Sequence, residues 1–179
     1  MEFGIIKQNL IEAMEQVQKE DAHLLIHDIS ERAIAHRLAM YLTPKFADFD
    51  VDCEYNGDVD AESGRKYIYV LKQRAEELGL VKDKEQDQEL VYRCVYPDII
   101  VHKRGRNGPE NNLLIVEVKK SSSKQNGNWD AEKLSRFTST EYDNHFAYHF
   151  RAFVCFGVGH NVHHILEWYQ GGQRYYNFE

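Results

Sequence analysis

Apolar residues recur along the first quarter of the chain at the spacing of a helix. Ile6, Leu10, Met14 and Val17 share one face of a stretch from about Ile5 to Leu25 and predict an amphipathic helix. In "DISERAIAHRLAMYL", Asp28 stands three residues before Glu31, a capping-box arrangement, ahead of Ile34, Leu38 and Leu42. Thr43-Pro44 closes this second helix, because the residue before a proline avoids helical geometry. The period then changes to two. Phe49, Val51, Cys53 and Tyr55 alternate with Asp50, Asp52 and Glu54, which predicts a strand ended by Asn56-Gly57.

Beyond that turn, "YIYVLKQRAEELGL" is expected to be helical and the charged run to Glu89 to be a solvated connection. Val91 to His102 and Asn112 to Lys119 predict strands joined by the hairpin loop "KRGRNGPEN". "SSSKQNGNW" reads as a loop before a helix opened by Asp130 and reaching about Asn144. "RAFVCFGV" predicts a buried strand and "HHILEWYQ" a following one. The expected fold class is α/β, a central mixed sheet flanked by helices. It forms one domain over 1–179, with an N-terminal helix and an insertion at about 57–90.

The length of 179 residues suffices for one domain with a buried core. Hydrophobic content of 42% and charged content of 28% fit a soluble globular chain, and no apolar run is long enough to span a bilayer. The start "MEFGIIKQNL" lacks the basic opening and apolar core of a signal peptide, so a cytoplasmic protein without a membrane partner is expected. Cys53, Cys94 and Cys155 are widely spaced and odd in number, each in a strand-like run. They read as small buried residues in a reducing compartment, not as a disulfide or zinc framework. A net charge of −7 argues against general coating of nucleic acid. Between Asp98 and Arg136, however, eight basic side chains outnumber five acidic ones, and such a local face is compatible with phosphate.

The strand "NNLLIVEVKK" poses the functional question. By alternation Leu113, Ile115, Glu117 and Lys119 share one face, while Leu114, Val116 and Val118 share the other. Both faces are apolar over most of the length, as in a strand covered on both sides. Charges at the end of such a strand need partners or a metal. Asp98 opens the neighbouring apolar run. Two carboxylates converging there make a site for a hard cation, Mg²⁺ or Mn²⁺, with the backbone carbonyl of Val118 as a third protein ligand. Such an ion polarises a phosphoryl oxygen and supplies a bound hydroxide. Lys119 can orient the attacking water or neutralise charge on the phosphate. The set suits phosphodiester hydrolysis, and no nucleophile elbow, Walker loop or dinucleotide fingerprint competes with it.

Pro97-Asp98, followed by Glu117-Val118-Lys119 on the next strand, resembles the signature of the PD-(D/E)XK phosphodiesterase superfamily. The resemblance covers roughly Ser30 to Val158. It implies a restriction-endonuclease-like core ordered αβββαβ, and a Mg²⁺-dependent nuclease acting on DNA ahead of RNA. Asp98, Glu117 and Lys119 would be its catalytic set. In many members a glutamate on the helix before the first core strand adds an acidic group, and Glu31 matches that position, although helix capping explains it equally. In others the helix after the E-x-K strand contributes polar or basic residues, which here are Asp130 and Lys133. With Lys120 and Lys124 these form the expected phosphate track, since a helix N-terminus favours an anion. The segment between Asn56 and Val91 is not explained by the resemblance.

The same motif has a second reading: a catalytically silent nuclease-like module that binds nucleic acid or a partner protein, as a monomer or a homodimer. An intact Asp98, Glu117 and Lys119 set favours the enzyme. The spacing of the nine histidines predicts no metal centre. His160, His163 and His164 lie in a turn and early strand without companion ligands, and His145 and His149 sit where a helix is ending. His36 lies on a different side of its helix from Glu31, and Arg104 and Arg106 read as surface charges of the hairpin loop.

Overall fold

The computed structural model describes the chain except residues 83–87, 125–127, 142–143, 162, 171–172 and 176–179. Helix α1 (Phe3–Glu20) buries Ile6, Leu10, Ala13, Met14 and Val17, the helical stripe seen in the sequence. It stops short of Leu25. Asp21 leaves helical geometry because its carboxylate turns to α3 (Glu31–Leu42), accepting from Tyr41 Oη at 2.7 Å and pairing with Arg37 at 2.8 Å. A short helix, α2 (Ala22–Ile26), follows. The cap of α3 also differs from expectation. Ser30, not Asp28, is the N-cap, its Oγ accepting from the Ala33 N–H at 3.3 Å. Asp28 adopts a positive φ of 50° and turns its carboxylate to Lys120 and Ser122. A single 3₁₀ turn over Thr43–Lys45 closes α3 at the proline.

The strands are β1 (Asp50–Cys53), β2 (Tyr67–Leu71), β3 (Leu90–Cys94), β4 (Ile99–His102), β5 (Asn112–Lys120), β6 (Phe150–Phe156), β7 (Ile165–Gln170) and β8 (Gln173–Tyr175). Six of them form a mixed sheet in the order β1-β4-β5-β6-β7-β8. All neighbours run antiparallel except β5 and β6, which are parallel and joined through α5 (Asn128–Thr138). Helix α3 covers one face through Ile34, Leu38 and Leu42 with Ile99, Val101, Val116 and Val118, and the buried stripe of α1 joins the same core. On the other face, Leu134 and Phe137 of α5 pack with Ile100 and Ile115. The fold is therefore α/β with helices on both sides.

Three sequence expectations change. Tyr67–Leu71 is a strand and only Lys72–Glu77 is helical (α4). Aromatic and β-branched residues suit a pleated surface, and Ile68 and Val70 are buried while Tyr67 and Tyr69 are half-buried, a period of two. The stretch from Val91 to His102 is two strands. Pro97 has no N–H for a ladder, so β3 leaves to pair with β2 in a separate two-stranded sheet, and β4 enters the main one. Helix α5 ends at Thr138, because the chain folds back to bond the Tyr148 N–H to the Phe137 carbonyl at 3.0 Å. The expected insertion thus carries β2 and α4, and β3 extends the inserted unit to Cys94. Part of its charged run, part of the loop before α5 and part of "GHNVHH" lie outside the described residues.

Two smaller differences have local causes. Leu113 joins the α1–α3 side with Leu114, because β5 carries one extra residue where the register jumps from Val101↔Leu114 to His102↔Asn112. The cysteines are free thiols, but Cys53 and Cys94 are exposed and Cys155 is half-buried, so the expected burial is corrected. No helix among the described residues is long and apolar enough to cross a membrane.

Candidate active site

Pairing of β4 with β5 sets Ile99 opposite Val116, so Asp98, one residue before β4, arrives beside the end of β5. There its Oδ2 accepts the Val118 N–H at 2.8 Å. Glu117 lies in the middle of the sheet, opposite Phe153 of β6, and is fully buried. Its Oε2 is 2.5 Å from the Lys133 ammonium, while its Oε1 has no hydrogen-bond partner among the described residues.

The charges then form a continuous line. Lys133 also reaches Asp130 Oδ1 at 3.0 Å, one turn back on α5. Asp130 Oδ2 meets Lys119 at 3.2 Å, and Lys119 meets Glu31 Oε1 at 3.1 Å. The other Glu31 oxygen accepts the Lys120 N–H at 3.2 Å. Glu31 is therefore directed at β5, not at its own helix terminus. Glu117 and Lys119 both meet residues of α5, as their shared strand face requires.

Burial decides the electrostatics. It pushes Glu117 well above the ordinary carboxylate range, although Lys133 pulls the other way. It raises Asp98 as well, against the Val118 hydrogen bond and the two lysines. Burial alone would lower Lys119 and Lys133, but neighbouring carboxylates outweigh it and both ammonium groups are held above their usual value. Four carboxylates (Glu31, Asp98, Glu117, Asp130) face two ammonium groups (Lys119, Lys133). The cluster is short of positive charge. A buried carboxylate oxygen without a partner among the described residues, close to a second, half-buried carboxylate, is a donor set that suits a hard divalent cation, with Asp98 and Glu117 as side-chain ligands.

A cleft of about 400 Å³ opens onto this cluster, lined by Glu31, Arg32, Glu54, Tyr96 and Asp98. Glu117 and Lys133 are buried and do not line it. Arg32 and Glu54 form an exposed ion pair at 2.8 Å on its wall, and Tyr96 is 55% exposed.

Of the expected site residues, Asp98, Glu117, Lys119 and Glu31 are brought together. The expected phosphate track is rearranged. Asp130 and Lys133 are buried members of the charge line, and α5 begins at Asn128, before Asp130. Lys120 is tied to Asp28 at 2.8 Å, and Lys124 is exposed. Arg104 is an exposed charge of the hairpin loop, and it bonds Asp52, whose carboxylate also accepts from His102 Nε2 at 2.9 Å. A signal for the buried pair was present in the sequence. Asp130, Lys133, Leu134 and Phe137 recur at the spacing of one helix face, and all four are buried.

Comparison with known proteins finds no family model, no curated protein and no solved structure that matches this chain.

Proposed function

We propose that this chain is a divalent-metal-dependent phosphodiesterase that hydrolyses DNA, built on a restriction-endonuclease-like core. The observation that carries the reading is Glu117: a fully buried carboxylate with one oxygen unpartnered among the described residues, near enough to Asp98 for the two charges to interact. The order α3, β1, β4, β5, α5, β6, with its one parallel crossover, supports it further.

Asp98 and Glu117, with the Val118 carbonyl, would hold Mg²⁺ or Mn²⁺. When bound, such an ion polarises a phosphoryl oxygen and lowers the pKa of its water. The chain's own residues do the rest. Lys119 is kept protonated by Asp130 and Glu31, and neutralises the negative charge that grows on the phosphate. Glu31 fixes Lys119 from the α3 side and the β5 backbone through Lys120. Lys133 supports the ionised form of Glu117, and Asp130 orients both lysines at once. The scissile strand would enter by the cleft at Tyr96 and Asp98.

One feature favours the second reading, a silent nuclease-like module that binds nucleic acid or protein. Both lysines already satisfy carboxylates, so the cluster is partly neutralised from within. Titration with Mn²⁺, followed by melting temperature, tests the metal site. Wild type should be stabilised as ligand binds the native state, and Asp98→Ala should lose that increment. Equal stabilisation of both proteins would remove Asp98 from metal binding and the proposal with it.

A further inference from the structure

A second group of potential ligands lies outside this cluster. Asp58, Asp60 and His145 each offer one ligand atom, and these atoms lie within 4.8 Å of one another. Among the described residues no other three such side chains converge in this way. Asp58 is the anchor, with 1% of its side chain exposed, and its Oδ2 is 3.0 Å from His145 Nε2. Asp60 and His145 are exposed and leave a route for an ion to arrive. Asn107, from the loop between β4 and β5, extends one carboxamide nitrogen to both acids, at 2.7 Å from Asp58 Oδ1 and 2.8 Å from Asp60 Oδ2.

The arrangement leaves two carboxylates close together with little to balance them, and like charges at such range cost free energy. The Asn107 amide donates to both acids, and Asp58 also meets the Asp60 N–H and the His145 imidazole. The buried cation whose charge Asp58 feels is Lys66, and it makes a poor counter-ion. Its ammonium sits 4.5 Å from the centre of the Phe146 ring and 5.6 Å from that of Tyr55, and burial pushes it down to about 8. Nitrogen and oxygen of the Asn107 carboxamide exchange places by a half-turn, so the same side chain can present an acceptor-type oxygen to a cation.

We propose that Asp58, Asp60 and His145, joined by the Asn107 carboxamide oxygen, bind a transition-metal dication, with zinc preferred. Three oxygens and one imidazole nitrogen match the four-coordinate N/O sites of zinc. The imidazole sets this group apart from the all-oxygen Asp98–Glu117 pair, which suits Mg²⁺ or Mn²⁺. The role is structural. An ion here would tie together the segment after β1, the β4–β5 loop and the segment between α5 and β6. The first of these leads into the inserted β2–β3 unit, and the third touches it where Asn144 bonds the Tyr69 backbone.

The test is calorimetric titration of the full chain with Zn²⁺, in saturating Mg²⁺ so that the Asp98–Glu117 pair is occupied. Wild type should bind one zinc per chain and melt at a higher temperature with it. His145→Gln and Asp60→Asn change exposed side chains, so both should fold with an unaltered metal-free melting temperature. Each should weaken zinc binding by roughly tenfold or more, the loss typical of a perturbed metal site. Asp98→Asn should bind zinc as wild type does, which separates this proposal from the phosphodiesterase reading. Absence of stoichiometric zinc binding by wild type overturns the proposal. So does undiminished affinity in either exposed-site variant, or loss of the zinc event in Asp98→Asn.

Discussion

Lys133 on α5 holds its ammonium 2.5 Å from Glu117 Oε2 in the interior of the sheet. Glu117 has no contact with solvent, so an ionised carboxylate there depends on Lys133 or on a bound cation. The pair makes the helix part of the site: moving α5 away from β5 would strip Glu117 of its charge partner.

The first prediction concerns that pair. Lys133→Met leaves a buried carboxylate unpaired and should cost about 3–5 kcal/mol of stability. Adding Glu117→Gln should recover part of the loss, since the uncompensated charge is gone. Denaturant unfolding of the four proteins in this cycle measures the coupling. A double variant as unstable as the sum of the singles would show that the two side chains act independently.

Lys119 should behave differently. Lys119→Ala leaves Asp130 paired with Lys133, so the fold and Mn²⁺ binding should persist. Cleavage should fall by roughly 100-fold or more, the scale of losing one charge-stabilising donor. Single-turnover rates compared with melting curves separate this outcome from a structural ion pair, whose loss would lower both.

Because Lys133 is buried, the nucleic-acid contact is expected from exposed cations, Arg32 on the cleft wall and Lys124 in the loop after β5. Arg32→Ala together with Lys124→Ala should weaken binding to all sequences alike. The slope of log affinity against log salt should flatten by up to about 2, close to one for each lost phosphate contact. An unchanged slope would place the strand elsewhere.

Lys66 supplies a pH test of the insertion. Its pKa in the fold is lowered to about 8 by burial, below the unfolded value. The folded state therefore binds this proton less tightly than the unfolded chain. The resulting penalty is complete below pH 8 and is relieved as pH rises from about 8 through the unfolded lysine value near 10.4. Lys66→Met should melt higher than wild type at pH 7, and the gap should narrow by pH 10. A gap that stays constant with pH would mean that the ammonium is not the source of the penalty.

Much of the scaffold was legible because burial follows period. The stripe of α1, the apolar face of α3 and the covered strand β5 are local patterns, and each formed where it was expected. The meeting of Asp98 with β5 was legible for a related reason: the two apolar runs pair, which sets Asp98 beside Val118. Tyr67–Leu71 was not, since its strand state depends on pairing Tyr69 with Tyr92 across the two-stranded sheet. Asp130 and Lys133 share a helix face with Leu134 and Phe137, a signal in the sequence, but that this face meets Glu117 and Lys119 of β5 follows only from the tertiary packing. The meeting of His145 with Asp58 spans 87 residues, and no local pattern carries it.

The central claim is tested most directly by incubating the protein with duplex, single-stranded and branched DNA and with RNA, each with and without Mn²⁺. Wild type should cleave a DNA substrate only when the ion is present, and Asp98→Ala should leave it intact. Binding without cleavage of any substrate, or cleavage undiminished in Asp98→Ala, would contradict the account.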